Sequence, residues 1–216
     1  MEIVDLKSAE MGSLFSAVSR LHMQEIRHGA LPLFGEKFLT RLYCELSKAD
    51  RTVVLGAVED GKLAGYVAGC ADIARSYASV FKNAALPLGW MMMGNLCRPD
   101  RLRKLLCIMT YPFGRKKTAE GHPDGDEQKG RPELLAIVVD EKYRGKHIGR
   151  TLVNAFERYL LSCGLDGFYY VSTNAADEGS NAFYRKLGFT FRGVVPHHSL
   201  TLRMYGKRIP GGSFGS

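Results

Sequence analysis

The segment that most constrains the fold runs from Glu133 to Gly164. It opens with a continuous apolar run over Glu133–Asp140, Leu134-Leu135-Ala136-Ile137-Val138-Val139, which predicts a central strand covered on both faces. A basic, glycine-containing turn follows. From Ile148 to Cys163 apolar residues recur at helical spacing, and Gly164 is placed to end that helix. A buried strand, a basic turn and an amphipathic helix in direct succession predict an α/β domain.

The other segments predict a mixed sheet with flanking helices. Strands are predicted at Met1–Leu6, Val53–Val58, Leu63–Ala71, Gly167–Ser172, Phe189–Val194 and Ser199–Tyr205, and helices at Ala9–Ile26, Leu33–Leu46 and Ser180–Leu187. The Asp60-Gly61 step between two of the strands predicts a tight hairpin, because glycine tolerates positive φ.

A chain of 216 residues is long enough for one well-buried domain, which we assign to residues 1–208. An insert at about 75–132 separates the first three strands from the fourth, and we expect helices in its first part. Within it, residues 114–131 contain no large apolar side chain, which predicts a flexible loop. Residues 209–216 are rich in glycine and serine and predict a flexible tail.

Composition excludes several classes of protein. The net charge is +8, but no basic stripe with interleaved aromatic residues is present, so neither a nucleic acid nor a membrane is an expected partner. Five cysteines without a C-x-x-C pair predict free thiols and no metal site. No apolar run is long enough to span a membrane, and the first residues do not read as a signal peptide, so a cytoplasmic location is expected.

The turn from Tyr143 to Arg150 has the properties of an anion site. The first turn of a helix has unpaired N–H groups and a positive dipole end, and a glycine lets a phosphate approach the backbone. Arg144, Lys146 and Arg150 add positive charge. The alternative is a basic surface turn with no ligand. A P-loop is not indicated, because Leu63 stands where Ser or Thr is required.

The same turn resembles the acetyl-CoA signature Q/R-x-x-G-x-G/A of the GNAT (GCN5-related N-acetyltransferase) family. Arg144 takes the first position, Gly149 takes the last, and His147 replaces the middle glycine. A non-glycine residue there can supply its N–H if its φ is negative. A second segment, Asn181–Phe189, resembles the family motif A/N-x-x-Y-x-K-x-G-F. The resemblance covers about 133–194, fits residues 1–73 only as a pattern, and does not cover the insert.

The resemblance implies a GNAT-like domain with a mixed, mostly antiparallel twisted sheet, and an N-acetyltransferase with acetyl-CoA as co-substrate and no metal. It implies that the central strand parts from its neighbour and pairs with the pantetheine arm of CoA through Ile137, Val138 and Val139. Asn174 and Asn181 are implied contacts of the pantetheine or the phosphates. Residues implied to hold the pyrophosphate are Arg144, Gly145, Lys146, His147, Ile148, Gly149 and Arg150.

Two catalytic roles follow from the chemistry of acetyl transfer. By resemblance, Tyr184 is the general acid that protonates the leaving CoA sulfur, and the alternative is a tyrosine that packs beneath its helix. Glu133 is the first choice for the general base, with a solvated residue at a strand start as its alternative. Asp72 is the second choice for the base, and His197 with His198 is the third.

The acceptor is less constrained. The expected wall residues are His28, Phe34, Tyr66, Trp90 and His197. They suit a primary amine on a small polar molecule such as an amino sugar or an amino acid, and they would also admit a protein N-terminus. A degenerate domain that binds CoA as a sensor or interaction module stays open as an alternative, as does a homodimer.

Overall fold

The computed structural model describes residues 1–8, 12–26, 31–80, 82, 131–197 and 200–211. The expectations for most of the insert, and for the flexible loop within it, lie outside the described residues. Among the described residues, 73–80 form a helical stretch that begins at Ile73.

Among the described residues, seven strands form one sheet in the spatial order β1-β2-β3-β4-β5-β7-β6. They are β1 (Glu2–Asp5), β2 (Thr52–Glu59), β3 (Lys62–Cys70), β4 (Glu133–Val139), β5 (Phe168–Asn174), β6 (Thr190–His197) and β7 (Leu200–Arg208). Neighbouring strands are antiparallel except β4 and β5, which are parallel. The expected mixed, mostly antiparallel sheet flanked by helices is therefore confirmed.

In the described part of the chain, four α-helices flank the sheet, together with two short 3₁₀ turns and the stretch over 73–80. The α-helices are α1 (Gly12–Glu25), α2 (Glu36–Lys48), α3 (Ile148–Ser162) and α4 (Glu178–Lys186), and the 3₁₀ turns are Leu31–Phe34 and Glu141–Tyr143. The single helix expected over Leu33–Leu46 is divided, because Gly35 adopts φ 86° between the first 3₁₀ turn and α2. That left-handed conformation is open to glycine and ends a helical path.

The sequence signals for the hairpin turn and for the end of the third α-helix are both confirmed. Asp60 and Gly61 have φ of 50° and 73°, the pair of positive values that a two-residue hairpin requires. Gly164 has φ 77°, and the N–H of Leu165 donates to the carbonyl of Leu160 at 3.1 Å. A hydrogen bond of this kind, around a glycine with positive φ, is a common C-terminal cap of a helix.

The sheet separates two hydrophobic clusters. One lies under α1 and α2 and includes Val18, Leu39 and Tyr66. The other lies under α3 and α4. The middle of β4, from 135 to 137, is only half-buried. The expectation of a strand covered on both faces is therefore met only in part, and the parting of β4 from β5, described below, explains the exposure.

The folded part of the chain extends into the expected tail. Ile209 is buried, and its N–H donates to the carbonyl of Gly167 at 2.8 Å. No helix within the described ranges is long and apolar enough to cross a membrane.

Candidate active site

The sheet opens between β4 and β5. Only two residue pairs join these strands, Glu133 with Tyr170 and Leu134 with Val171. Beyond them β5 stays paired with β7 as far as Asn174, while β4 continues alone on that side. Leu135 has no partner in β3 either, because the β3–β4 register shifts at this residue. The result is a gap whose closed end is at Glu133–Leu134 and whose open side is the edge of β4.

The backbone of β4 presents free polar groups to this gap. The N–H of Asp140 donates to the carbonyl of Ala64 on β3 at 3.0 Å. Because hydrogen-bonded pairs alternate along an antiparallel ladder, Val138 pairs its backbone with Tyr66, whereas Ile137 and Val139 direct their N–H and C=O groups away from β3. Of the three residues expected to line the gap, two therefore offer backbone groups to it.

The basic turn leads from β4 into α3, as expected. Gly145 is exposed with φ 82°. His147 is the residue just before α3 and has φ 61°, so the condition of a negative φ, under which a non-glycine residue there could supply its N–H, is not met. The first helical hydrogen bond runs from the N–H of Thr151 to the carbonyl of His147 at 3.1 Å. The amides of 148–150 therefore have no acceptor within the helix.

Two of the three cations in the turn are already paired. The guanidinium of Arg144 contacts the carboxylate of Glu25 at the end of α1. The ammonium of Lys146 lies 3.2 Å from the carboxylate of Glu59 on β2. For Arg150, which is exposed, no ion pair is found in the described part of the chain. The turn is thus linked to α1 and to β2 through surface charges.

The last two residues of the motif face inward. Ile148 and Gly149 are both buried. A Cβ atom on Gly149 would lie 2.8 Å from Cε2 of Phe183 on α4, closer than side chains tolerate. Close packing between α3 and α4 is therefore a sufficient reason for a glycine here, independent of any phosphate.

Residues at the start of α4 are held by internal hydrogen bonds. Asp177 caps the helix by accepting from the N–H of Ser180 at 3.0 Å. The amide group of Asn181 donates to the carbonyls of Asn174 and Asp177, and its oxygen accepts from the hydroxyl of Tyr205 at 2.9 Å. Because Asn181 is fully enclosed and hydrogen-bonded in this way, it can act on a cofactor only indirectly, through the 174–177 loop.

Asn174 is half-buried at the end of β5, on the far side of the gap from β4. Its side-chain oxygen accepts from the N–H of Ala176 at 3.0 Å. This bond shapes the loop between β5 and α4, and within the described ranges the side-chain nitrogen of Asn174 has no hydrogen-bond partner.

Tyr184 lies on α4 within the cluster under α3 and α4, which also includes Ile137 and Val139. Its ring is 5.3 Å from those of Phe183 and Phe189. No hydrogen-bond partner of its hydroxyl is found within the described ranges. Burial, and to a smaller extent the nearby charge of Asp177, raises the pKa of Tyr184. The phenol is therefore protonated at neutral pH.

Glu133 is enclosed, with only 4% of its side chain exposed, so the alternative of a solvated residue at a strand start is wrong. Its carboxylate lies 3.0 Å from the guanidinium of Arg131. Asp72, the second choice for the base, accepts from the N–H of Arg75 at 3.0 Å and pairs with its side chain at 3.4 Å. That arrangement is a helix cap at the start of the 73–80 stretch.

Only some of the residues expected to line the acceptor site lie within the described ranges. Tyr66 is completely enclosed and bonded to His22 at 2.8 Å, so it lines no cleft. Phe34 is buried against Phe38, with ring centres 5.0 Å apart. His197 is the last residue of β6. His28, Trp90 and His198 lie outside the described residues.

Sequence reasoning missed two contacts at the site. Arg131 stands two residues before Glu133, and an oppositely charged pair at this spacing on a strand start is a signal that could have found it. Phe183 belongs to the second motif, but its contact with Gly149 joins two segments that are far apart in the chain. No sequence pattern marks that contact.

The seven-stranded sheet, the open edge of β4 and the basic turn at the start of α3 define a protein of the acetyltransferase class. The chain matches the acetyltransferase (GNAT) family over residues 18–189. Because this match covers well over half of the chain, the protein belongs to the GNAT family, whose members use acetyl-CoA as acetyl donor. No match was found among curated protein sequences.

Solved structures agree with this fold. An aminoglycoside 6'-acetyltransferase type Ii superposes with a TM-score of 0.58 at 18% identity, covering 98% of this chain and 99% of that one. An aminoglycoside 6'-N-acetyltransferase complexed with coenzyme A gives 0.56 at 15% identity, with 98% and 99% covered. The ribosomal-protein-S18-alanine N-acetyltransferase from Escherichia coli gives 0.56 at 13% identity, with 100% and 98% covered. At these identities the likeness establishes the fold alone.

Proposed function

We propose that this chain transfers the acetyl group of acetyl-CoA to the primary amine of a small polar molecule, of the amino sugar or amino acid type. The observation that carries the proposal is the open edge of β4, which leads directly into the basic turn. An extended chain with amide groups can pair with such an edge as an additional strand would. The pantetheine arm of CoA is a chain of this kind.

The turn has the groups needed for the other end of CoA. Free amides at the start of α3, the helix dipole and the exposed Arg150 all favour a pyrophosphate. Gly145 supports the fit, because no atom lies within 4 Å of the place where its Cβ would stand. A phosphate can therefore approach the backbone there. Arg144 and Lys146 add charge but are shared with Glu25 and Glu59.

We assign proton donation to Tyr184 and proton acceptance to Glu133. The amine nitrogen attacks the thioester carbonyl, a C–N bond forms, and the C–S bond breaks. The sulfur takes a proton from the phenol of Tyr184, and the amine loses its proton to the carboxylate of Glu133. Exchange with water then restores both groups. The protonated state of Tyr184 and the position of Glu133 at the closed end of the gap support these roles.

The setting of the reaction is also part of the proposal. The described cysteines Cys44, Cys70 and Cys163 are free thiols, which suits a reducing compartment such as the cytoplasm. A small polar acceptor suits a gap whose described surroundings are half-buried and mostly apolar, with a few polar groups at its ends.

The test is a thiol-release assay with acetyl-CoA and a panel of amines: glucosamine, kanamycin, the common amino acids and a short peptide with a free N-terminus. Turnover with an amino sugar or an amino acid supports the proposal. Turnover with the peptide alone indicates N-terminal acetylation. CoA binding by calorimetry without turnover on any amine indicates a binding domain and contradicts the proposed activity.

A further inference from the structure

The carboxylate of Glu133 is paired with an arginine in an enclosed place. Nη2 of Arg131 lies 3.0 Å from Oε2 of Glu133, and the two side chains are 16% and 4% exposed. Exposed ion pairs contribute little, but an enclosed carboxylate that loses its partner carries a large desolvation cost. The pair is therefore a fixed part of the closed end of the gap.

Arg131 is itself held by contacts with β5, with β7 and with the start of the 73–80 stretch. Its guanidinium carbon lies 4.5 Å from the ring centre of Tyr170 on β5. Its Nη1 lies 3.6 Å from the sulfur of Met204 on β7. Its main-chain carbonyl accepts from the N–H of Ile73 at 3.1 Å. A guanidinium fixed on these sides sets the position of the carboxylate.

We propose that Arg131 is a positioning residue that fixes the orientation of the Glu133 carboxylate at the closed end of the gap, where the carboxylate can accept the proton of the acceptor amine. This inference rests on the proposed role of Glu133 as the base. A guanidinium presents its donors in a rigid planar fork that matches a carboxylate, so it can hold the carboxylate in one orientation.

The described groups of β3 and β5 that lie next to Glu133 carry no positive charge. From β3, the thiol of Cys70 donates to the main-chain carbonyl of Glu133 at 3.6 Å, and burial raises the pKa of Cys70 to about 12, so the thiol stays neutral. From β5, Tyr170 contributes the uncharged aromatic ring against which the Arg131 guanidinium packs. The charge of Asp72 is a minor cause of the raised pKa of Cys70, and the Asp72 carboxylate is itself paired with Arg75. Among these groups, Arg131 is the cation in contact with the carboxylate.

The test is a double-mutant cycle on kcat, with the panel amine that turns over fastest. Arg131→Gln is expected to lower kcat by roughly 10- to 100-fold and to leave the KM for acetyl-CoA unchanged. In the Glu133→Gln background the same change is expected to have no further effect on kcat. Arg131→Lys, which keeps the charge but lacks the planar fork, is expected to fall between the wild type and Arg131→Gln. Thermal melting checks that each variant is folded.

Arg131→Gln removes the guanidinium from an enclosed carboxylate, and where this variant does not fold, Arg131→Lys takes its place in the cycle with the same outcomes. Effects that multiply, so that Arg131 variants lower kcat equally in both backgrounds, would overturn the inference and leave the base role of Glu133 intact. Wild-type kcat for Glu133→Gln would overturn both the base role and the inference while acetyl transfer stands. Absence of turnover with every amine contradicts the proposed function itself.

Discussion

Gly149 at the start of α3 and Phe183 on α4 are packed so closely that a Cβ atom on Gly149 would lie 2.8 Å from the Phe183 ring. The same ring stands 5.3 Å from that of Tyr184. The basic turn before α3 is therefore in contact, through Phe183, with α4, the helix of the proposed acid Tyr184. A substitution at Gly149 changes this packing as well as any phosphate contact.

Gly149→Ala is expected to lower the free energy of unfolding by about 1–3 kcal/mol, because the added methyl group must displace the Phe183 ring. Phe183→Leu in the same chain should recover part of the loss, since the smaller side chain makes room. Urea denaturation of the two single variants and the double variant measures this coupling. Strictly additive effects would show that the two residues do not constrain each other.

His147→Gly is expected to raise the free energy of unfolding by about 0.5–1 kcal/mol. His147 has φ 61°, a conformation that costs residues with a Cβ about 1–2 kcal/mol and glycine almost nothing. His147→Val should lower stability, because branching at Cβ makes this conformation less favourable. Thr151→Gly, inside right-handed α3, is the matched control and should not be stabilising. Equal stability of the glycine and valine variants would contradict the strain.

Much of the fold follows from local signals that the structure confirms. Gly164 ends its helix, and the Asp60-Gly61 step turns its hairpin, because these residues satisfy backbone requirements within a few positions of themselves. The apolar run of β4 likewise identifies a central strand. The half-buried middle of β4 could not be predicted from the same residues, because the exposure arises where β5, a strand from later in the chain, parts from β4.

The candidate site was predictable to the extent that its residues lie in contiguous motifs. The turn at Gly145 and the helix of Tyr184 fall where their motifs indicate. The left-handed φ of His147 was not predictable, because a single residue type does not determine its backbone conformation. The enclosure of Glu133 and Asn181 depends on strands and helices from distant segments, so sequence gave their positions but not their partners.

Tyr184→Phe is expected to lower kcat by at least about 100-fold while the Kd for acetyl-CoA changes by less than about twofold, because the phenol acts on the leaving sulfur and not on binding. Burial raises the pKa of Tyr184 above its ordinary value of 10.0, so the proton is present throughout the neutral and mildly basic range. At pH values up to 10, loss of this proton should therefore not lower the kcat of the wild type. Single-turnover kinetics measures the chemical step, and an unchanged rate would remove the acid role.

Glu25→Gln and Glu59→Gln are each expected to tighten CoA binding by up to about fivefold at low salt. Each change frees a cation of the turn, Arg144 or Lys146, from an exposed ion pair of small energy. Glu36→Gln is the matched control, because its carboxylate pairs with Arg20 away from the turn. Calorimetry at low salt and at high salt should show the gain shrinking with screening. Weaker binding would mean instead that the ion pairs hold the turn in its binding geometry.

The buried histidine His22 is expected to limit stability in acid. Its Nδ1 lies 2.6 Å from the hydroxyl of Tyr43 on α2 and 2.8 Å from that of Tyr66 on β3, and its buried Nε2 has no partner among the residues that the structure describes. Burial lowers the pKa of His22 from 6.5 to about 4. Because the unfolded chain takes up this proton first, stability should be full above pH 6.5 and fall as the pH drops toward 4, by roughly 3 kcal/mol in total.

A neutral side chain at this position separates that loss from the titration of carboxylates. His22→Gln has no proton to gain, so its free energy of unfolding should decline less than that of the wild type between pH 6.5 and pH 4, whatever its stability at neutral pH. Denaturation by urea at a series of pH values gives both curves. Parallel curves would show that His22 keeps the same proton affinity in the folded and unfolded chain, and that the enclosed contact with Tyr43 and Tyr66 leaves its titration unchanged.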